Sequence, residues 1–192
     1  MATYWKRWIC IAWLCLTAVS ANAVTPMVEA GKGGASFVLL SDSSVWQVGA
    51  NGATSPVRLF QRSDISAIAE AEGSVLALRA DGTVWGYGGG LMLGDGTNQF
   101  HSEPVQIAGL ADIRSISSSG SDQIFAVKGD GTVWAWGSNS LGQLGDGTQI
   151  DRYTPGQVLG LTGITQVSAS FSTVIALRSD GTVWVWGLAY GA

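Results

Sequence analysis

Few side chains of this sequence could carry out covalent or metal chemistry. The chain has one histidine, His101, and two cysteines, Cys10 and Cys15. A zinc site built on several His and Cys ligands, or a thiol–histidine nucleophile, needs more of these groups than residues 24–192 contain. A serine triad would have to use His101, but no Gly-x-Ser-x-Gly elbow accompanies it. The sequence therefore predicts a protein without a catalytic centre of these kinds.

The carboxylates are the other candidates for chemistry. Glu70 and Glu72 lie too close in sequence to flank a glycosidic bond as a catalytic pair does, and we interpret them as solvent-facing charge. Asp95 and Asp146 each stand in Leu-Gly-Asp-Gly-Thr, which offers one acid where a calcium loop needs several oxygen donors. Residues 31–34, Gly-Lys-Gly-Gly, lack the spacing of a phosphate loop. We therefore expect no enzyme activity, no cofactor and no metal.

One eight-residue pattern recurs along the chain. Residues 130–137 read Asp-Gly-Thr-Val-Trp-Ala-Trp-Gly, and residues 180–187 and 81–88 are close copies. Residues 43–49 hold a degenerate fourth copy. Self-similarity at a near-constant period is the signature of a repeat architecture.

Each copy predicts a hairpin turn followed by a buried strand. Asp-Gly between two apolar runs favours a tight turn, because glycine accepts positive φ and the aspartate side chain can bond to the backbone. The tryptophans could stack on sugars or bases, but burial between blades explains all of them. The residues that we assign to this structural repeat are Asp81, Gly82, Trp85, Asp130, Gly131, Trp134, Trp136, Asp180, Gly181, Trp184 and Trp186.

The period and the strand lengths favour an all-β fold. The first tryptophans of the copies are 39, 49 and 50 residues apart, and no helical periodicity persists after residue 23. Several short strands in each repeat of about 50 residues are typical of β-propeller blades. We divide the chain into repeats at about residues 28–63, 64–111, 112–163 and 164–192.

The N-terminal segment, residues 1–23, has the features of a secretory signal peptide. Lys6 and Arg7 precede an apolar run of eleven residues, and Ala21-Asn22-Ala23 supplies a cleavage site before Val24. The alternative is a membrane anchor, but eleven residues fall short of the roughly 20 that span a bilayer. Both cysteines lie in this segment, so we expect a secreted or periplasmic protein without disulfides and without a membrane attachment after cleavage.

The charge of the chain is acidic and dispersed. The formal net charge is −4, and without Lys6 and Arg7 there remain 8 basic and 14 acidic residues. No basic run or stripe is present. This pattern argues against nucleic acid and anionic membranes as partners.

Residues 126–155 carry a longer pattern: Ala-Val, the eight-residue copy, Asn139, Gly-Gln-Leu-Gly-Asp-Gly and Pro155. This order resembles the regulator-of-chromosome-condensation (RCC-type) repeat family, although the histidine that often precedes the Ala-Leu pair is absent. The resemblance implies a seven-bladed propeller, of which this sequence holds three repeats and a fragment. Either the chain is truncated, which we favour, or it forms a homo-oligomer that completes a ring.

We expect function to lie in loops of unequal length on a rigid frame. The main hypothesis is a protein–protein binding module that uses residues 89–102 and 138–154. Family analogy suggests guanine-nucleotide exchange or chromatin regulation instead, and a secreted enzyme inhibitor, as some bacterial relatives are, or a carbohydrate-binding propeller is a further alternative. The candidate partner-binding residues are Met92, Phe100, His101, Asp151, Arg152 and Tyr153.

Overall fold

The described residues form four antiparallel sheets that follow one another along the chain. The computed structural model describes residues 24–30, 34–49, 55–71, 73–119 and 122–187. The expected signal peptide, the segment 31–33 and Glu72 lie outside these residues. Within them, the one helical element is a 3-10 turn at Leu91–Leu93, and no helix is long and apolar enough to cross a membrane. The all-β expectation is confirmed.

Each sheet is one blade whose strands pair in the order of the sequence. Blade 1 contains β1 (Met27–Ala30), β2 (Ser36–Leu39), β3 (Val45–Val48) and β4 (Val57–Phe60). Blade 2 contains β5 (Ile65–Ala71), β6 (Ser74–Arg79), β7 (Val84–Gly88) and β8 (His101–Gln106). Blade 3 contains β9 (Ile113–Ser118), β10 (Gln123–Lys128), β11 (Val133–Gly137) and β12 (Arg152–Gln157). Blade 4 contains β13 (Ile164–Ser170), β14 (Thr173–Arg178) and β15 (Val183–Gly187).

The first strands of successive blades contact one another, so they form the inner edge of the stack. Because neighbouring strands run antiparallel, strands one and two join at the same end of the blade as strands three and four. We call this the loop end. The hairpin between strands two and three lies at the opposite end, which we call the turn end.

At the turn end, aspartate side chains fix the hairpins. The Asp130 carboxylate accepts hydrogen bonds from the backbone N–H and the hydroxyl of Thr132, at 2.9 and 2.7 Å. Asp81 and Asp180 do the same with their threonines. These bonds lower the pKa of all three aspartates, with the threonine hydroxyl as the largest cause. The repeated aspartates therefore have a structural role that explains their position.

Three apolar clusters hold the blades together, one between each pair of neighbours. Between blades 3 and 4, Phe125 and Val133 face Val174 and Ala176. Alternate residues of one strand thus pack against the preceding and the following blade, because side chains alternate across a strand. This two-sided burial explains why the strands are apolar on both faces.

The glycines of two equivalent hairpin turns, Gly131 and Gly181, allow the contact between blades 3 and 4 to be tested. Gly131 and Gly181 both have positive φ, 78° and 87°, but a Cβ at Gly131 would lie 2.6 Å from the Cα of Gly163, whereas one at Gly181 meets nothing within 4 Å. We expect Gly181→Ala to cost about 1–2 kcal/mol from backbone conformation. Gly131→Ala should cost roughly 1–3 kcal/mol more from the clash. Urea unfolding measures both, and equal losses would contradict the contact.

Candidate binding surface at the loop end

Two long connections stand at the loop end of the central blades. Loop 2, residues 89–100, joins β7 to β8, and loop 3, residues 138–151, joins β11 to β12. The backbone N–H of Gly96 in loop 2 donates to the carbonyl of Tyr153, at the start of β12, at 2.9 Å. Loop 2 of blade 2 therefore lies against the start of β12, the strand that follows loop 3 in blade 3.

Loop 3 is organised around the side chain of Asn139, which is fully buried. Its amide nitrogen lies 3.1 Å from the Asp146 carboxylate and from the carbonyl oxygens of Thr148 and Ile150. Its amide oxygen accepts the backbone N–H of Leu144 at 2.9 Å. A single amide thus satisfies donors and acceptors from both ends of the loop, which makes loop 3 a fixed structure.

Each loop is held to the strand that follows it, the fourth of its blade, by one side-chain contact. The contact joins an aspartate in the loop to a basic residue six positions later, at the start of that strand. In loop 2, Asp95 lies 2.6 Å from the Nε2 of His101. In loop 3, Asp146 lies 3.4 Å from a guanidinium nitrogen of Arg152. His101 and Arg152 occupy the same repeat position, so these two candidate residues serve first as clamps.

The clamps leave both aspartates ionised. Burial opposes ionisation of Asp95 most strongly, but hydrogen bonds from Thr97 and from His101 outweigh it and lower the pKa of the carboxyl. Burial also opposes ionisation of Asp146, and the bonds from Thr148, Arg152 and Asn139 together lower its pKa. Each carboxylate is therefore committed to loop structure, and neither is poised as a proton donor.

The loops also join neighbouring blades. The indole N–H of Trp136 in blade 3 donates to the carbonyl of Met92 in loop 2 at 3.0 Å. The indole N–H of Trp186 in blade 4 donates to the carbonyl of Gln143 in loop 3 at 2.8 Å. We call this contact the indole latch. Blade 2 carries Tyr87 at the same repeat position, and the sequence after blade 1 lacks the Leu-Gly-Asp-Gly-Thr loop.

The latch corrects one expectation from the sequence. Met92, expected to be an exposed loop residue, is buried and belongs to the cluster between blades 2 and 3. The 3-10 turn at Leu91–Leu93 directs this segment inward, where its carbonyl meets Trp136. Met92 therefore packs the frame and is not part of the free surface.

Of the other candidate partner-binding residues, some are exposed and some pack against the apolar cores between the blades. Phe100 is 69% exposed, with its ring edge against Tyr87. Asp151 is exposed, and its carboxylate accepts the backbone N–H of Asn139 at 2.7 Å. Tyr153 is half-buried against the cluster between blades 2 and 3. Ile150, which the sequence reasoning did not select, is 72% exposed.

Glu70 also differs from its expected setting. It is buried rather than solvent-facing, and its carboxylate accepts the backbone N–H of Gly73 at 2.8 Å. Its electrostatic neighbour is Glu29 on the adjacent first strand, whose pKa is raised by burial and then by Glu70. Within the described ranges, no group of three or more His, Cys, Asp or Glu residues could hold a metal ion.

Loops 2 and 3 thus each present exposed side chains at the loop end on a backbone held by hydrogen bonds. We call this set of side chains the loop-end surface, and its members are Phe100, His101, Ile150, Asp151 and Arg152. It combines two exposed apolar side chains with polar and charged groups held by hydrogen bonds.

Comparison with known families identifies the repeat. Residues 130–177 match the model described as the regulator of chromosome condensation (RCC1) repeat, and residues 113–143 match a second RCC1 repeat model. The chain is an RCC1-type repeat protein. The family resemblance read from the sequence is thereby confirmed, and the four sheets are RCC1-type propeller blades.

Solved structures with this fold include two proteins from eukaryotes. Human WBSCR16 superposes with a TM-score of 0.70 at 22% identity, over 84% of this chain and 47% of that chain. Prp20p from Saccharomyces cerevisiae, described with its binding to Gsp1p and histones, gives 0.68 at 18% identity, over 84% and 44%. Prp20 in a complex with Kap60 gives 0.65 at 22% identity, over 81% and 40%.

These similarities establish the fold of the RCC1-type chain. They do not establish its partners or its activity. The chain spans less than half the length of each of these structures. No curated protein gives a significant match to the sequence.

Proposed function

We propose that this RCC1-type chain is a non-catalytic, exported module that binds another protein through the loop-end surface. The observation that carries the proposal is the exposure of Phe100 and Ile150 on loops 2 and 3, whose backbones are held by hydrogen bonds from Asp95 and Asn139. Ordered loops lose little conformational entropy on binding, so exposed apolar side chains on them can serve as anchors. That Prp20p is described with protein partners supports the class of function, not the partner.

The electrostatic character of the surface suits a protein partner. Asp151 is exposed, and Arg152 and His101 are each paired with an aspartate, so the patch carries no concentrated positive charge. A nucleic-acid site would need basic groups free to neutralise phosphates. A protein partner with an apolar pocket and a polar rim fits this surface better.

The proposal is tested by measuring how much of the partner protein is captured by the wild-type chain, by a variant of the loop-end surface and by a control variant. The Phe100→Ser/Ile150→Ser chain should capture roughly tenfold less of the partner than the wild-type chain, because both anchors are removed. Val57→Ser, which alters a residue 52% exposed on β4, is the matched control and should capture as the wild type does. Partners are taken from the extracellular and periplasmic fractions of the source cells and quantified by mass spectrometry. Equal capture by all three chains would reject this surface.

Export is tested separately. Residues 1–30 fused to a reporter should direct it out of the cytoplasm and be cleaved after Ala23. A reporter that stays in the cytoplasm would remove export from the proposal and favour an intracellular regulator instead.

A further inference from the structure

Loops 2 and 3 are clamped by different basic groups at the same repeat position. In blade 2 the group is the imidazole of His101, and in blade 3 it is the guanidinium of Arg152. The strand register makes the two positions equivalent, because His101 pairs with Gly88 as Arg152 pairs with Gly137. A guanidinium keeps its charge throughout the physiological range, whereas an imidazole gains or loses its charge between about pH 5 and 8. The two loops should therefore respond differently to pH.

The residue four positions after each basic group differs in size between the two blades. A Cβ added at Gly156 would overlap the guanidinium of Arg152, so that guanidinium occupies the space that a side chain would need. Blade 2 carries Val105 at the equivalent position, and this valine packs on the cluster between blades 2 and 3. An arginine in place of His101 would compete with Val105 for this space, whereas the shorter imidazole reaches Asp95 at 2.6 Å.

Loop 2 also depends more on its clamp than loop 3 does. In loop 3 the clamped aspartate is bonded by the amide of Asn139 as well, the buried side chain that organises the loop. Residues 89–93 of loop 2, Gly-Gly-Leu-Met-Leu, contain no asparagine. In the part of the chain that the structure describes, the side chains that bond Asp95 are those of Thr97 and His101. The charge of His101 therefore matters more to loop 2 than the charge of its counterpart matters to loop 3.

The surroundings of His101 hold one close carboxylate. Within the described ranges, Asp95 is the one acidic group within 4 Å of the ring nitrogens. Burial opposes ionisation of Asp95, but the bonds from Thr97 and from His101 lower its pKa, so it is ionised wherever an imidazole titrates. The other titratable or charged groups on the elements packed against His101 are Tyr87 on β7, Glu103 on β8 itself, and Arg152 and Tyr153 on β12.

We propose that His101 makes loop 2 pH-responsive, so that the loop is held most firmly in mildly acidic solution and loosens as the pH rises past neutral. Protonated His101 forms an ion pair with Asp95, and this attraction is lost when the imidazole gives up its proton. The two side chains are only 23% and 13% exposed, so salt screens the pair less than it screens a surface pair.

The exposed ring of Phe100 is next to His101 in the sequence, so the same clamp positions it. A weaker clamp should therefore also weaken partner capture at high pH. That consequence rests on the proposed function, whereas the loosening of loop 2 does not.

Amide hydrogen exchange of the whole chain at about pH 5.5 and about pH 8 tests the proposal. Exchange is expressed as protection factors, so that its intrinsic dependence on pH cancels. The reporters in loop 2 are the backbone N–H groups of Gly96 and Thr97, which donate to the neighbouring blade and to Asp95. Their protection should fall roughly threefold at the higher pH, the size expected for a partly exposed ion pair. The N–H of Thr148, which donates to Asp146 in loop 3, should keep its protection.

Two variants assign the response to His101. His101→Gln can still donate a hydrogen bond but has no charge to lose, so loop 2 should no longer respond to pH. His101→Arg/Val105→Gly copies the arrangement of blade 3, and its loop 2 should keep the same protection at both pH values. Glu29→Gln is the control, because burial and then Glu70 raise the pKa of Glu29 toward the same range. This variant should respond to pH as the wild type does.

Circular dichroism verifies that each variant is folded, and if the arginine variant is not, the comparison with His101→Gln decides. A wild-type loop 2 whose protection is the same at both pH values would overturn the proposal. So would a response that survives in a folded variant without His101, or one that disappears in Glu29→Gln. Because no partner is present in these measurements, a failure of the proposed function would leave their outcome unchanged.

Discussion

Trp136→Ala is expected to lower the free energy of unfolding by about 3–5 kcal/mol, the largest effect of any single substitution considered for this chain. The indole is fully buried between blades 2 and 3 and belongs to the cluster that joins them. The substitution leaves a cavity the size of an indole and deprives the Met92 carbonyl of its donor. Urea unfolding followed by circular dichroism measures the loss.

A pair of phenylalanine variants separates the hydrogen bond from the packing. Trp136→Phe retains most of the ring and loses the N–H, and should cost roughly 1–3 kcal/mol because the buried Met92 carbonyl becomes unpaired. The indole nitrogen of Trp134 is buried and has no hydrogen-bond partner. Trp134→Phe should therefore cost less than Trp136→Phe. The reverse order would show that the latch contributes nothing beyond ring burial.

Asn139→Ala is expected to cost about 3 kcal/mol and to loosen loop 3. The substitution removes the acceptor for the buried N–H of Leu144 and the donor shared by Asp146, Thr148 and Ile150, and unpaired buried groups cost about 1–3 kcal/mol each. Amide hydrogen exchange should rise across residues 139–151 and stay unchanged in loop 2. Because Ile150 and Asp151 lie in this loop, partner capture should fall as well.

Asn98→Ala is the control for this prediction. Asn98 is exposed in loop 2 and should tolerate the change within about 0.5 kcal/mol, as surface positions usually do. If Asn139→Ala were as mild as Asn98→Ala, loop 3 would be held by its backbone and by Asp146 rather than by the buried amide.

The sequence predicts the frame of this protein well, because the frame depends on local patterns. The Asp-Gly pairs form the expected turns, and the strands on either side alternate as the repeated tryptophans indicate. The unit of this architecture is about 50 residues, so turn chemistry and side-chain alternation within one repeat suffice to infer it.

The sequence predicts the loops less well, because their structure depends on contacts between repeats. Met92 looks like a loop residue, yet its burial follows from Trp136, 44 residues away. Ile150 lies next to the selected Asp151, but its exposure follows from Asn139, which turns the loop from within. A signal for the latch was nonetheless present in the sequence. Residues 81–88 are the one complete copy of the eight-residue pattern that has Tyr87 in place of the second tryptophan. The segment between blades 1 and 2, which precedes this copy, is also the one that lacks the Leu-Gly-Asp-Gly-Thr loop.

The indole latch also orders events during synthesis. The chain leaves the ribosome N-terminus first, so loop 2 emerges before Trp136, whose indole N–H donates to the Met92 carbonyl of that loop. The hydrogen bond between the Met92 carbonyl and Trp136 can form only after about 44 further residues have been synthesised. Loop 3 waits in the same way for Trp186. The loops of blades 2 and 3 are thus completed only after the following repeat has been synthesised, so either blade remains unfinished while it is the newest one.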